Sequence, residues 1–369
     1  MPRKVDPRRR CLPLAEWPAA DREAWEAAMR AARGRFSGRG RAGRLSAEAL
    51  EKTREGYGRW LGFLDHRGWL DRDAAPGDRP SEARVASYFD GLRALGNRDH
   101  TITGRFQELR DALAIMAPDA DFGWLARPGG VPLRRRLAME KRPIAVHHSA
   151  DLLAWGLEMM RCATTLAGSR RRQVMLRDGL LIALLAIAGP RRRALLAMRV
   201  GRQLRRDGDG WRVAREERDD KTGRPLDYLV PDYLVPWVER HLAVERRELL
   251  GGQVQDAVWI NWGGEPLGEA GVEKRIRWCS AKRFGPENAF GTHRFRHCIG
   301  TTAPLVAPRI PTLGAAVLGV SGAVHAKHYD RGKRAAAARG FLEALERDRE
   351  EARALLRPGR HGGRNKNLV

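Results

Sequence analysis

Gly291-Thr292-His293-Arg294-Phe295-Arg296-His297 and, further on, Val324-His325-Ala326-Lys327-His328-Tyr329-Asp330-Arg331 bracket the stretch on which the reading of this chain turns. Between them runs an apolar segment that ends in Val317-Leu318-Gly319-Val320. His293 and Arg296 are spaced i, i+3, so a helix would carry both on one face, where both can reach a single substrate atom. Tyr329 stands among Lys327, His328 and Arg331. Tyrosine is a poor nucleophile unless nearby cations stabilise its phenolate, and here cations flank it on both sides.

The rest of the chain gives that stretch a setting. With 369 residues it is long enough for two domains with full cores. A hydrophobic share of 43% and 11 tryptophans mark a folded protein rather than a disordered basic one. The formal net charge of +24 is costly by self-repulsion unless a polyanion neutralises it, and nucleic acid is the commonest such partner. The bland alternative is an arginine-rich composition with no such partner. No long amphipathic basic helix stands alone with an apolar face, which argues against a membrane surface. Cys11, Cys162, Cys279 and Cys298 show neither metal-ligand spacing nor a pairing pattern, as in a reducing compartment. The amino terminus lacks the apolar core of a secretory signal, and the run from Leu180 to Ala188 is too short to span a bilayer. A soluble intracellular protein is expected.

Residues 1–44 are rich in Arg, Pro and Gly around one helical pattern at Asp21 to Ala32, and are expected to form a basic flexible arm. Either it is a solvated leader or it lies along phosphates. Residues 45–126 read as an all-helical domain. Ser46 caps a helix carrying Leu50, Tyr57, Trp60, Leu61 and Leu64, and Ser81 caps a second carrying Val85, Tyr88, Phe89 and Leu92. A third begins at Thr101, with Ile102, Phe106, Leu109, Leu113 and Met116 on one face and Arg105 and Arg110 on the other. Residues 127–144 combine Pro and Gly with Arg134, Arg135, Arg136, Lys141 and Arg142. They read as a basic linker held out of any core, and a linker so basic suggests that both folded parts touch one polyanion.

Residues 145–335 mix periods. Asp151 to Met160 and Arg172 to Ala188 are helical, Gly189-Pro190-Arg191 interrupts, and Ala194 to Val200 resumes helical composition. Trp211 to Arg215 alternates like a short strand, Asp219-Asp220-Lys221-Thr222-Gly223 is a turn, and Tyr228-Leu229-Val230 is a second strand. Helices return at Pro236 to Leu250 and Gly271 to Arg283. The fold class is mainly α with a small β-sheet, α+β. Residues 336–369 hold a last helix, with Phe341, Leu342, Leu345, Leu355 and Leu356 as its apolar face, and a basic tail. No repeat, Walker loop, dinucleotide fingerprint or zinc spacing is present.

Taken in order, Gly189-Pro190-Arg191-Arg192-Arg193-Ala194-Leu195, Asp220-Lys221-Thr222-Gly223, His293-Arg294-Phe295-Arg296-His297 and Leu318-Gly319-Val320 followed by Tyr329 resemble the tyrosine recombinase, or phage integrase, family. Each motif alone is weak; their order and separations carry the resemblance. It covers 145–335 as a catalytic domain and extends more weakly over the helical region, similar to the family's SAM-like core-binding domain for DNA. The resemblance implies a site-specific recombinase that breaks and rejoins duplex DNA through a 3′-phosphotyrosyl intermediate. In it Tyr329 attacks phosphorus and Lys221 protonates the departing 5′-oxygen. His293 takes the tyrosine proton or orients the phosphate. Arg191 and Arg296 clamp the non-bridging oxygens in a fork geometry that lysine cannot copy.

It further implies no cofactor and no metal, a homo-tetramer assembled on DNA with the tail helix docked on a neighbouring protomer, and an accessory DNA-bending protein in some settings. The compartment would be the cytoplasm, at the nucleoid. Arg105, Arg110, Arg134, Arg135, Arg136, Lys141 and Arg142 are the expected DNA contacts. Two departures stand out. Val320 occupies the place where the family usually has histidine or tryptophan as a phosphate donor, and Ala194 stands where an acidic residue is common. His325, one helical turn before Tyr329, is the candidate replacement for the missing donor. Two alternatives therefore stay open: a catalytically weakened DNA-binding or architectural member of the same fold, and a type IB topoisomerase-like nicking-closing enzyme.

Overall fold

The computed structural model describes residues 6–32, 41–139, 146–215, 226–328 and 346. The chain divides into two compact units, Met1–Pro143 and Ile144–Val369.

The first unit is built on α1 (Ala19–Ala32), α2 (Ala47–His66), α3 (Glu82–Ala94), α4 (Asp99–Met116) and a single-turn α5 (Leu133–Arg136). Ser46 and Ser81 cap α2 and α3, their hydroxyls accepting from the backbone N–H groups of Ala49 and Arg84, both at 3.3 Å. Tyr57, Trp60, Leu61 and Leu64 of α2 meet Ile102, Phe106, Leu109 and Leu113 of α4 in one core. Rows at i, i+3 and i+4 produce that contact.

Two expectations fail in this unit. Within the arm placed at 1–44, residues 6–32 belong to the core: Leu12, Trp17 and Trp25 are buried with the α2 and α4 side chains. Asp21 on α1 is fully buried against Arg79, its Oδ2 accepting from Nη2 at 2.5 Å, and it also accepts the Tyr57 hydroxyl. The arginines and prolines at its start disguise this segment, although Trp17 and Trp25 each bury much area and Leu12 joins them. The linker placed at 127–144 is likewise anchored up to residue 139. Leu133 and Leu137 are buried in the same core, and the Met139 backbone N–H donates to Asp99 at 2.9 Å. Two leucines between arginines suffice to dock one helical turn.

In the second unit, α6 (Ser149–Thr164) packs along α7 (Arg170–Ala188). The α7 residues Leu180 to Ala186 are all buried, which explains the unbroken apolar run in the sequence. The short α8 (Arg192–Leu196) leads to an antiparallel sheet in the order β1 (Leu204–Asp207), β2 (Gly210–Arg215), β3 (Leu226–Leu229). Val213 faces Leu204 on one side and Tyr228 on the other, and Leu204, Trp211 and Val213 turn inward as period two requires. β1 was not expected; its Leu204-Arg205-Arg206-Asp207 sequence buries only the leucine. Arg215 and Leu226, which flank the segment 216–225, are register partners.

A helical stretch of α9 (Val235–Arg240), a π-helical turn (His241–Glu245) and α10 (Arg246–Leu250) follows, then α11 (Glu269–Phe284), α12 (His293–Val306), α13 (Leu313–Leu318) and α14 (Gly322–His328). Among the described residues no helix is long and apolar enough to cross a membrane.

His241, fully buried at the π turn, donates from Nε2 to the Val258 carbonyl at 3.1 Å and lies over Trp259. Burial pushes its imidazole down to about 4 from an ordinary 6.5, against the opposing carbonyl bond. The folded pKa lies below the unfolded one, so stability is full above 6.5 and is lost as the pH falls towards 4, by roughly 3 kcal/mol at most. Urea unfolding followed from neutral to acid pH is expected to show this loss, with a shallower slope in His241→Gln, which keeps a hydrogen-bonding group and cannot titrate.

Candidate active site

Two helix ends define the site. α7 stops at Gly189, at φ 51°, in the left-handed region that glycine enters without strain. Space requires glycine there too: an added Cβ would lie 2.8 Å from Ile299 Cδ1 and 3.0 Å from Leu318 Cδ2. α13 stops at Gly319, at φ 56°, with the Gly319 N–H donating to Ala316 at 3.1 Å and the Val320 N–H to Ala315 at 3.0 Å. Such ends point carbonyl oxygens and partial negative charge outward.

Arg296, in the first turn of α12 and only 3% exposed, joins them. Its Nη1 donates to the Gly189 carbonyl at 2.6 Å and its Nη2 to the Leu318 carbonyl at 2.9 Å. A buried guanidinium needs such partners, and here the carbonyl ends of two helices supply them. Arg191 follows Gly189 by two residues, in extended conformation at the N-cap of α8, so the bond to Gly189 also fixes where Arg191 begins.

His293 opens α12 and presents its ring edge-on to His297, with centroids 5.0 Å apart. Its side chain keeps solvent access, yet the mass of protein around it and then the charges of Arg296, Arg294 and Arg191 hold its imidazole below the ordinary range, with Glu273 opposing. Arg191, His293 and Arg296 thus share one electrostatic neighbourhood. The neutral imidazole that results is a proton acceptor near neutral pH.

Glu269 and Glu273, one turn apart on α11, hold this neighbourhood in place. Glu269 accepts from Arg192 Nη2 at 2.6 Å and from Arg193 Nε at 2.8 Å. Burial raises the Glu269 carboxyl and these hydrogen bonds outweigh it, so it sits below its ordinary value. Glu273 accepts from the backbone N–H and the hydroxyl of Thr292, both at 3.2 Å, and from Arg277 Nε at 3.0 Å. It thereby ties the start of α12 to α11. Neither glutamate was singled out from sequence. An i, i+4 Glu pair was visible, but nothing along the chain tells which helix start it will face.

Of the other expected residues, Lys221 and Tyr329 lie outside the described residues, as do Lys141 and Arg142. Val320 is 7% exposed and packs with Ile299, Ala315 and Leu318, so it completes an apolar cluster. His325 is 4% exposed on α14 and lies against Gly314 of α13, where an added Cβ would meet its Nε2. In the first unit Arg105 pairs with Glu108 at 2.6 Å and Arg110 with Asp111 at 3.1 Å, whereas Arg134, Arg135 and Arg136 are exposed on α5.

Neither a family model nor a curated protein sequence matches the chain. Solved structures do. The XerH site-specific recombinase bound to its difH substrate, in a pre-cleavage complex, is 13% identical at a TM-score of 0.55, with 86% of this chain and 84% of that chain covered. Its post-cleavage complex with palindromic difH is 15% identical at 0.52, with 79% of each chain covered. The integrase of transposon Tn1549 in complex with circular-intermediate DNA is 12% identical at 0.52, covering 86% of this chain and 98% of that one. The fold is that of the tyrosine recombinases.

Arg296→Ala is expected to lower the unfolding free energy by about 3 kcal/mol, because two buried carbonyls lose their donor. Arg296→Lys should recover only part of this, since one ammonium cannot span both acceptors with the fork geometry. Arg191→Ala, at a half-exposed position, should stay within about 1 kcal/mol of the parent chain. Equilibrium denaturation in urea checks the ranking.

Proposed function

We propose that this protein is a site-specific DNA recombinase that cleaves and rejoins duplex DNA through a 3′-phosphotyrosyl intermediate. The observation that carries the reading is the convergence of Arg191, His293 and Arg296 at the Gly189–Leu318 junction of a tyrosine-recombinase fold. The Tyr329 oxygen attacks phosphorus, and the bond to the 5′-oxygen breaks. His293, held neutral, accepts the tyrosine proton or orients the phosphate. Lys221 gives a proton to the departing 5′-oxygen. Arg191 and Arg296 balance the charge that gathers on the non-bridging oxygens. Because the phosphotyrosyl bond keeps the energy of the broken one, a 5′-hydroxyl from a second strand reverses the step and expels the tyrosine. Duplex DNA is the partner, with a homo-tetramer assembled on it and an accessory bending protein at some sites.

A second reading, a DNA-binding member with weakened chemistry, draws on Val320, whose burial in an apolar cluster leaves no donor at that position. Nicked duplexes selected from a random pool by the wild-type protein decide between the two. Wild type is expected to form a covalent complex, and Tyr329→Phe to bind equally well and form none. Lys221→Ala should lose cleavage on an ordinary substrate and regain it when the leaving 5′-oxygen is replaced by sulfur, which needs no proton. Binding without any covalent complex by the wild type would establish the second reading.

A further inference from the structure

The first unit contains a cavity of about 290 Å³ that the catalytic reading does not use. The turn Pro7–Arg9 and Arg10 cover it, and α2, α3 and α4 form its other sides. Arg8, Arg9, Arg10, Arg59, Arg67 and Arg105 line it, and no carboxylate does. Some of this charge is balanced from behind. Arg8 pairs with Asp6 at 2.8 Å, Arg10 with Asp65 at 3.0 Å, Arg59 with Glu55 at 2.9 Å and Arg105 with Glu108 at 2.6 Å. The Arg9 guanidinium donates to the Leu95 carbonyl at 2.5 Å, and Arg67 lies over the rings of Phe63 and Trp69. Among the described residues neither forms an ion pair within 4.0 Å, although the charge of Arg9 is felt by Asp6.

Two buried donors also wait there. Tyr88, 3% exposed, lines the cavity with a hydroxyl that has no hydrogen-bond partner among the described residues, and Arg59 Nη1 is buried and equally unpartnered. The charges of Arg105 and Arg59 act on the Tyr88 phenol, with Glu108 opposing them, and burial holds that phenol protonated, so its O–H is available to donate. A buried donor left without an acceptor keeps the full cost of its lost hydration. Two of them in a cavity walled by guanidinium groups point to an acceptor-rich anion that supplies what the protein does not.

We propose that this cavity is a binding site for a free oligophosphate group, such as the triphosphate of a nucleotide, held by Tyr88, Arg59 and Arg67. A multiply charged anion suits it because several guanidinium forks converge there. The concave shape favours a small free ligand over a phosphate embedded in a stiff duplex. Occupancy would tie the Pro7–Arg10 turn more firmly to α2. That turn already lies so close that a Cβ at Gly62 would sit 2.3 Å from the Arg10 carbonyl oxygen.

Calorimetric titration of the full chain with sodium triphosphate, at ionic strength matched with sodium chloride, tests this directly. Saturable one-to-one binding is expected, accompanied by a rise in thermal midpoint that chloride does not produce. Tyr88→Phe keeps the ring packing against Trp60, Phe63 and Phe106 and removes only the oxygen. It should bind at least about tenfold more weakly, as expected for one charge-assisted hydrogen bond. Arg67→Gln, on the exposed rim, gives a second variant that should fold normally and bind more weakly. A parallel arm with deoxyadenosine triphosphate tells whether a nucleoside adds affinity to the same site. Non-saturable heats, or variants that bind triphosphate as tightly as the parent chain, would overturn the proposal. So would triphosphate failing to bind while Tyr88→Phe weakens duplex DNA, which would assign the cavity to a backbone phosphate.

Discussion

The Arg296 guanidinium, bonded at once to the Gly189 and Leu318 carbonyls, is the constraint on which the second unit depends. A charge on a residue only 3% exposed would be prohibitive without acceptors, and two helix ends turned by glycines provide them. One residue thereby closes three elements on a point: the end of α7, the end of α13 and the start of α12. Arg191 and His293 sit at the edges of that closure, each within a residue or two of a constrained backbone. The same contacts that make Arg296 structurally necessary fix its fork, and a fixed fork is what recognition of a transferring phosphoryl group requires.

The surrounding electrostatics sort the arginines. In the run Arg191-Arg192-Arg193, Glu269 engages the second and third, and Glu273 secures the turn into α12. Ala194 is buried and carries no charge, so the acidic partners near this helix come from α11 instead of from the helix itself. Many of the other arginines are held this way, in surface pairs of modest strength that orient side chains more than they stabilise the fold. The arginine-lined cavity of the first unit departs from that pattern, because its lining includes cations and buried donors without matching acceptors.

The sequence carried a good deal of this. Helical periodicity located α2, α3, α4, α6, α7 and α11 to within a few residues, and the shift to period two at Trp211 located the hairpin. The fold class followed from both. Residues 6–32 and 127–139 were misread because composition was weighed over position: Trp17, Trp25, Leu133 and Leu137 are few, but each fills a core site. β1 escaped because a single inward leucine gives no alternation to see. At the site, the i, i+3 spacing of His293 and Arg296 was legible, as was the glycine lead-in to Arg191. Glu269 and Glu273 were not, since their roles depend on which helix start they face in space, and that is set by tertiary packing. Val320 stands out in the sequence as a departure, while its place among Ile299, Ala315 and Leu318 is set by the packing of α12 against α13.

Peptide mapping of the covalent protein–DNA adduct tests the central claim most directly. Wild-type protein is trapped on a nicked duplex from which the cleaved fragment diffuses away, then digested with trypsin. The DNA is expected to remain on the peptide His328-Tyr329-Asp330-Arg331, joined through the tyrosine oxygen to a 3′-phosphate. DNA attached to any other residue, or joined through a 5′-phosphate, would contradict it.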